Sequence, residues 1–222
     1  MKTNKRVAAF FDFDGTIYNG VVAFDFLKFL IRNRNIGLNE IPLLTTLLFY
    51  YILDKLNLVE RYKLNKSIYK KINGWNSHLL KSNSAEFFKQ EINEKFFPNI
   101  IKILNSHKKN NHRVIIVTSA LMEIISHVRK WIKFDDIIAT EVGIRMGIYT
   151  GIIKKLPVGG NRIEIIRDYC KSNNIDIKKS YAYSDHYSDI PLLENIGNPV
   201  AVNPDRKLRA YAEKKKWRIL YN

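Results

Sequence analysis

The strongest constraint on the fold is that short apolar segments alternate with amphipathic ones along most of this chain. Segments 7–13 (VAAFFDF) and 113–119 (RVIIVTS) are runs of apolar and β-branched residues, which is the pattern of a buried strand. YAYSD, NPVAV and WRIL predict three more short strands, with helical sequence between them. Alternating strands and helices form a mostly parallel sheet covered on both faces. We therefore predict an α/β fold with a doubly wound, mostly parallel sheet.

A helical block interrupts this alternation directly after the first strand. Segments 21–31, 41–53, 59–72 and 79–97 have apolar residues at helical spacing and little strand signal. We predict that residues 18–95 form an inserted helical cap domain, and that residues 1–17 and 96–222 form the core. In such a sheet, ligands bind beyond the carboxyl ends of the strands.

The region after the second strand predicts smaller elements. Residues 136–139 have the pattern of a short strand, and residues 141–155 (EVGIRMGIYTGIIKK) predict a hairpin around Met146-Gly147. A helix is expected at residues 161–170. These elements complete the core that follows the helical block.

Composition limits the compartment and the partners. The single cysteine, Cys170, excludes an internal disulfide and suggests a reducing compartment. The N-terminal apolar stretch VAAFF stops at Asp12 before a signal-peptide core forms, so a cytoplasmic location is expected. Segment 41–53 is shorter than the roughly 20 residues that span a bilayer, which favours a buried or interfacial helix. The net charge of +16 fits a polyanionic partner, but the lysines are dispersed, so no dedicated nucleic-acid surface is expected.

Polar residues follow three of the predicted strands. Asp12 and Asp14 are two residues apart at the end of the first strand, so both can face the same side of the crevice. Thr118 and Ser119 end the second strand, where a hydroxyl and backbone N–H groups suit a phosphate. The segment SDHYSD places Asp185 and Asp189 about one helical turn apart after a third strand. Each pattern alone is also typical of a turn or a helix cap.

Taken in order, DFDGT, VTSA, a basic residue and SDHYSD resemble the motifs of the haloacid dehalogenase-like hydrolase superfamily. The likeness covers nearly the whole chain and is closest to the phosphoserine-phosphatase-like branch, which has a helical cap after the first strand. It implies a Rossmann-like core and a magnesium-dependent phosphatase that acts on phosphate monoesters.

The resemblance also implies roles for individual residues. Asp12 would be the nucleophile that forms an aspartyl-phosphate, and Asp14 the acid and base. Thr118, Ser119 and Arg162 would bind the phosphoryl group. The Mg²⁺ site would involve Asp12, Asp14, Asp185 and Asp189: Asp12, Asp185 and the backbone carbonyl of Asp14 would be the ligands, and Asp189 would orient them.

The chain departs from the branch at two positions. The third motif usually supplies a lysine, whereas PVGGNRIEII supplies Arg162, whose donors form a fixed fork. Lys154 or Lys155 is the alternative cation. Phosphoserine-specific members resemble one another in an acidic residue where this chain has Val21, which weakens a phosphoserine assignment. Asp25 lies nearby, but its helical spacing predicts a solvated face.

Three functions remain open on the sequence. The favoured one is a phosphatase for a small metabolite or a lipid phosphate, with a peripheral membrane contact through the apolar, basic cap. The alternatives are a catalytically impaired protein that binds nucleic acid or anionic membrane, and a phosphatase for nucleic-acid ends. The sequence does not determine the oligomeric state.

Overall fold

The computed structural model describes residues 5–33, 60–92 and 94–222, together with Phe49 and Leu53. Its strands are β1 (Ala8–Asp12), β2 (Arg113–Leu121), β3 (Asp136–Arg145), β4 (Ile148–Lys155), β5 (Tyr181–Ser184), β6 (Asn198–Val202) and β7 (Arg218–Leu220). Its helices are α1 (Val22–Arg32), α2 (Arg61–Lys71), α3 (Ser77–Glu91), α4 (Pro98–Lys109), α5 (Met122–Ile125), α6 (Gly160–Ser172), α7 (Ile190–Asn195) and α8 (Arg206–Lys215). Short 3₁₀ turns cover Ser126–Lys130 and Tyr187–Asp189.

Within the described residues the strands form one sheet in the order β4-β3-β2-β1-β5-β6-β7. Neighbouring strands are parallel except for the antiparallel pair β3 and β4. The predicted α/β fold with a mostly parallel sheet is confirmed. Because β1 lies in the centre, between β2 and β5, the polar ends of these three strands meet at one edge.

Strand β1 is buried on both faces, which explains its continuous apolar sequence. Ala9 and Phe11 pack into the layer that includes α1, α3 and α4, while Ala8 and Phe10 pack into the layer with α6 and α8. Burying a phenylalanine contributes roughly 2–3 kcal/mol. The central strand is therefore held rigidly from both sides, and so is the position of its carboxyl end.

Several predicted boundaries moved. The helix expected at residues 79–97 ends at Glu91, because Phe97 N–H donates to the Ile17 carbonyl and Phe96 bridges to Tyr18 in extended conformation. The expected short strand at 136–139 continues into the hairpin as one strand, β3. The hairpin itself is confirmed, with Met146 and Gly147 as its turn and positive φ at both residues.

The helices α1–α3, here called the helical insert, contact the sheet through the β3–β4 hairpin. Gly74 N–H donates to the Tyr149 carbonyl (2.9 Å), Tyr149 N–H donates to the Trp75 carbonyl (2.9 Å), and Ser77 N–H donates to the Gly147 carbonyl (2.8 Å). The turn between α2 and α3 thus forms an additional backbone ladder beside β4. It places α2 near the end of β2.

Segment 41–53, expected as a buried or interfacial helix, lies outside the described residues except for Phe49 and Leu53, which are helical. No helix in the described ranges is both long and apolar enough to cross a membrane. Cys170 is a buried thiol on α6.

Candidate active site

The loop after β1 is built by hydrogen bonds to one carbonyl and one carboxylate. The Phe13 carbonyl accepts from the N–H groups of Ile17 (2.9 Å) and Tyr18 (2.8 Å), which folds the chain back after Asp12. Asp14 Oδ1 accepts from Val22 N–H (2.7 Å), one of the unpaired donors at the start of α1. Asp12 and Asp14 are therefore held by the strand on one side and by α1 on the other.

Arg162 joins two of the carboxylates. Its Nη1 lies 3.1 Å from Asp12 Oδ1 and 2.6 Å from Asp189 Oδ2. Its Nε donates to the Pro157 carbonyl over 3.0 Å, and the residue is only 5% exposed. A buried cation requires such partners, because burial of an unpaired charge is costly. The guanidinium is consequently fixed at the end of β1.

Asp185 and Asp189 follow β5. The Ser184 hydroxyl donates to Asp189 Oδ2 (2.5 Å), so this oxygen accepts from both Ser184 and Arg162. Asp185 lies against the loop after β1: a Cβ at Gly15 would meet Asp185 Oδ2 at 2.1 Å. Gly15 is thus required for the close approach of the two loops.

Burial, and then the proximity of the carboxylates to one another, shifts their protonation. Burial raises the pKa of Asp12, with the Asp189 charge adding to the shift and Arg162 opposing it. Burial, followed by the charge of Asp12, raises the pKa of Asp185 well above its usual range. Burial raises the pKa of Asp14 to about 7, against the hydrogen bond from Val22 N–H. A cation bound between these carboxylates would offset both their burial and their mutual repulsion, and would favour their ionised forms.

The donors fit a hard cation. Asp185 Oδ1 and Asp189 Oδ1 are buried without a hydrogen-bond partner. Carboxylate oxygens are the ligands that Mg²⁺ prefers, usually one or two of them with waters and substrate oxygens. No three His, Cys, Asp or Glu side chains within the described residues form a ready metal cluster. The partnerless Asp185 oxygen is therefore available to a cation whose other ligands are backbone, water and substrate oxygens.

A cavity of about 140 Å³ opens onto Asp12, Asp14 and Arg162. The helical insert supplies most of its wall, which is largely apolar and is formed by Val21, Ala23, Phe24, Leu27, Leu64, Asn65, Ile68 and Tyr69 together with Ser119 and Ala120. Arg61 at the start of α2 also lines it. Arg61 lies outside the sequence motifs, and the signal in the sequence for it is a cation at the N-terminal end of a predicted cap helix.

Ser119 and Thr118 occupy different positions. Ser119 lines the cavity, whereas Thr118 is fully buried and its Oγ1 accepts from Ala120 N–H (3.1 Å). The structure thus brings Asp12, Asp14, Ser119 and Arg162 to the cavity, whereas the Thr118 hydroxyl is bonded to the Ala120 backbone and is not among the lining groups.

The other residues considered from the sequence lie elsewhere. Lys155 pairs with Glu141 on the hairpin, and Lys154 is exposed. Arg162 is accordingly the cation beside Asp12 that the third motif supplies. The prediction that Asp25 lies on a solvated face is wrong. Its side chain is 14% exposed and accepts hydrogen bonds from the Tyr18 hydroxyl (2.7 Å) and from Lys95 Nζ (2.9 Å).

Residues 9–194 match the haloacid dehalogenase-like hydrolase family, and the chain belongs to it. The family that the sequence motifs indicated is thereby confirmed.

Among its relatives is the inhibition of morphological differentiation protein of Streptomyces azureus, 27% identical over 97% of this chain and 78% of that protein. A phosphoserine phosphatase of Mycobacterium tuberculosis is 25% identical over 96% of this chain and 70% of that protein. A Bordetella pertussis protein of unknown function has a similar structure (TM-score 0.85, 20% identity, 98% and 99% of the two chains covered). So does a phosphoserine phosphatase solved as a phospho-aspartyl intermediate analogue (0.68, 14%, 98% and 94%).

Proposed function

We propose that the protein is a magnesium-dependent phosphatase that hydrolyses a phosphate monoester through an aspartyl-phosphate on Asp12. The observation that carries the proposal is the convergence of Asp12, Asp14 and Arg162 on the inner wall of one cavity. A nucleophilic carboxylate, a second carboxyl group and a fixed cation are the groups that phosphoryl transfer requires.

The chemical steps follow from this arrangement. Asp12 Oδ attacks phosphorus, the bond from phosphorus to the leaving oxygen breaks, and Asp14 donates a proton to that oxygen. Asp14 then accepts a proton from water, which attacks the aspartyl-phosphate; inorganic phosphate leaves and the Asp12 carboxylate is restored. Arg162 faces the phosphoryl oxygens from the position that it already holds beside Asp12.

Asp12, Asp185 and the backbone carbonyl of Asp14 would hold Mg²⁺, and Asp189 would orient this site through Arg162 and Ser184. When bound, the ion offsets the repulsion between the dianionic phosphate and Asp12. The partnerless buried oxygen of Asp185 supports this assignment.

The cavity wall suggests the kind of leaving group. Apart from Asp12 and Asp14, no described residue that lines the cavity is acidic. Val21, at the position where phosphoserine-specific members resemble one another in an acidic residue, is one of the lining residues. We therefore propose a substrate with a largely apolar leaving group that carries no ammonium, either a small metabolite or a lipid phosphate. In this proposal residues 18–95 act as a cap domain that closes over the substrate.

The test is turnover of 4-nitrophenyl phosphate with Mg²⁺ and with EDTA. We expect Mg²⁺-dependent phosphate release that Asp12→Asn and Asp14→Asn each reduce by at least a thousandfold. Asp168→Asn, a change of the same kind at an exposed carboxylate, should leave the rate unchanged. A panel of phosphoserine, glycerol phosphates, phosphatidylglycerophosphate, sugar phosphates and nucleotides then ranks leaving groups, with phosphoserine expected at least tenfold below the best substrate.

Two outcomes would contradict these statements. Absence of turnover on the whole panel, with salt-sensitive polyanion binding that survives Asp12→Asn, would identify a binding protein instead. Phosphoserine as the best substrate would refute the apolar leaving group and leave the chemistry intact.

A further inference from the structure

The carbonyl oxygen of Ser119 accepts two side-chain hydrogen bonds from opposite parts of the molecule. The Tyr69 hydroxyl donates to it from α2 over 2.5 Å, and the Thr140 hydroxyl donates to it from β3 over 2.7 Å. Tyr69 is 6% exposed and Thr140 is fully buried. The Ser119 backbone is thus clamped between the helical insert and the sheet.

This clamp lies where the sheet ladder is interrupted. The parallel register between β2 and β3 is regular to Val117 and resumes, shifted, at Leu121. Residues 118–120 lie in the interruption, and side chains supply hydrogen bonds to their backbone there: Thr118 Oγ1 accepts from Ala120 N–H, while Tyr69 and Thr140 donate to Ser119. Where the ladder hydrogen bonds between strands are interrupted, side-chain hydrogen bonds are needed to fix the position of the backbone.

Ser119 is also the point where β2 reaches the reaction cavity. It lines the cavity together with Arg61, Asn65 and Tyr69 of α2. Tyr69 therefore both lines the cavity and donates its hydroxyl to the Ser119 backbone. A shift of α2 would therefore change both the cavity wall at Tyr69 and the hydrogen bond from Tyr69 to Ser119.

We infer that Tyr69 is a positioning residue for the proposed phosphatase: its hydroxyl sets the Ser119 segment against the phosphoryl group only when α2 is seated on the sheet. This inference rests on the proposed function. It assigns to the insert a part in building the phosphate-binding wall, in addition to covering it. The hydrogen bond from Thr140 comes from the core and does not depend on the position of the insert. The hydrogen bond from Tyr69 forms only when α2 lies against the sheet.

The experiment compares wild type with Tyr69→Phe and with Tyr62→Phe, which removes a hydroxyl from the same helix at a residue that does not line the cavity. We measure kcat and KM for 4-nitrophenyl phosphate, the affinity for orthovanadate by inhibition and by thermal shift, and the melting temperature. Tyr69→Phe is expected to lower kcat/KM and vanadate affinity about tenfold, the effect of one well-placed hydrogen bond, while the Mg²⁺ concentration for half-maximal activity stays unchanged. Tyr62→Phe should match wild type.

A second variant tests whether both hydroxyls act on one carbonyl. Thr140→Val keeps the side-chain shape and removes the other donor. In the double variant the loss of kcat/KM should exceed the product of the two single losses, because the Ser119 carbonyl then has neither donor.

The possible failures are distinguishable. Wild type without turnover and without vanadate binding would overturn the proposed function, and this inference with it. An active wild type with Tyr69→Phe within twofold in kcat/KM and vanadate affinity would overturn the inference alone. A loss that follows the drop in melting temperature would show that Tyr69 only stabilises the fold. A double variant that equals the product would show that the two hydroxyls do not act together on the Ser119 carbonyl, and would also overturn the inference.

Discussion

At the scale of single residues, Arg162 shows how one side chain organises the site. Its Nε and Nη1 are engaged by three acceptors, on Pro157, Asp12 and Asp189. A lysine has one compact ammonium and lacks the planar fork that satisfies acceptors in different directions. The arginine in the third motif therefore has a structural reason: it locks two buried carboxylates and the loop before α6 in one arrangement.

Gly15 gives a prediction at the same scale. Gly15→Ala should reduce turnover at least a hundredfold, because its Cβ would lie 2.1 Å from Asp185 Oδ2 and displace that carboxylate. The matched control is Gly74→Ala, which also has positive φ (+87°, against +74° at Gly15) but would meet nothing within 4 Å.

Both alanine variants share a backbone strain of about 1 kcal/mol in the left-handed region, so Gly74→Ala should lose about this much stability in urea unfolding and Gly15→Ala at least as much. Only Gly15→Ala should lose activity. Equal activity of the two variants would show that Asp185 is not needed where the structure places it.

At the scale of elements, the turn between α2 and α3 is the link between the helical insert and the sheet. It pairs with Tyr149 of β4 through Gly74 and Trp75, and Ser77, the first residue of α3, donates to Gly147 in the hairpin turn. The insert is thus tied to the core at this corner by backbone hydrogen bonds that do not depend on side-chain identity.

The N-cap of α3 allows a test of this corner. Asn76 Oδ1 accepts from His78 N–H (2.9 Å) and Leu79 N–H (3.0 Å). Asn76→Ala removes both acceptor bonds and should lower the free energy of unfolding by about 1 kcal/mol, while Asn76→Asp should retain most of it. Urea denaturation measures both variants. An alanine variant as stable as wild type would mean that the ladder with β4, and not the cap, holds the start of α3.

At the scale of the whole molecule, the interior contains an uncharged histidine in a strongly basic protein. His107 is buried on α4, with Nε2 2.8 Å from the Tyr183 hydroxyl and Nδ1 2.9 Å from His112 Nδ1. Burial, and then the neighbouring His112, lower the pKa of His107 to about 4. Folding therefore favours the neutral imidazole.

This shift predicts acid sensitivity. An unfolded histidine titrates near pH 6.5, so between about pH 6.5 and pH 4 the unfolded chain binds more protons and stability falls as the pH falls. The free-energy difference between wild type and His107→Gln should decrease by about 2–3 kcal/mol from pH 7 to pH 4.5. Urea unfolding across this range measures it. Parallel curves for the two proteins would contradict a neutral, buried His107.

Much of the architecture was predictable because it depends on local patterns. The continuous apolar runs at β1 and β2 indicated buried strands, and their alternation with helices indicated a parallel sheet. The end of α3 at Glu91 was not predictable, because the extended conformation of Phe96 and Phe97 comes from pairing with Tyr18 and Ile17, some eighty residues earlier.

The candidate site divides in the same way. Local pattern was enough to identify the side chains that follow the strand ends, since Asp12, Asp14, Asp185 and Asp189 lie beside recognisable apolar segments. The packing of distant elements was needed to show that Arg162 rather than Lys155 lies beside Asp12, and that Arg61 and Tyr69 of the insert complete the cavity. The physical reason is the distance along the chain over which each interaction acts. Strand and helix patterns depend on residues that are close in sequence, whereas the partner of a buried charge or hydroxyl depends on how elements far apart in sequence pack together.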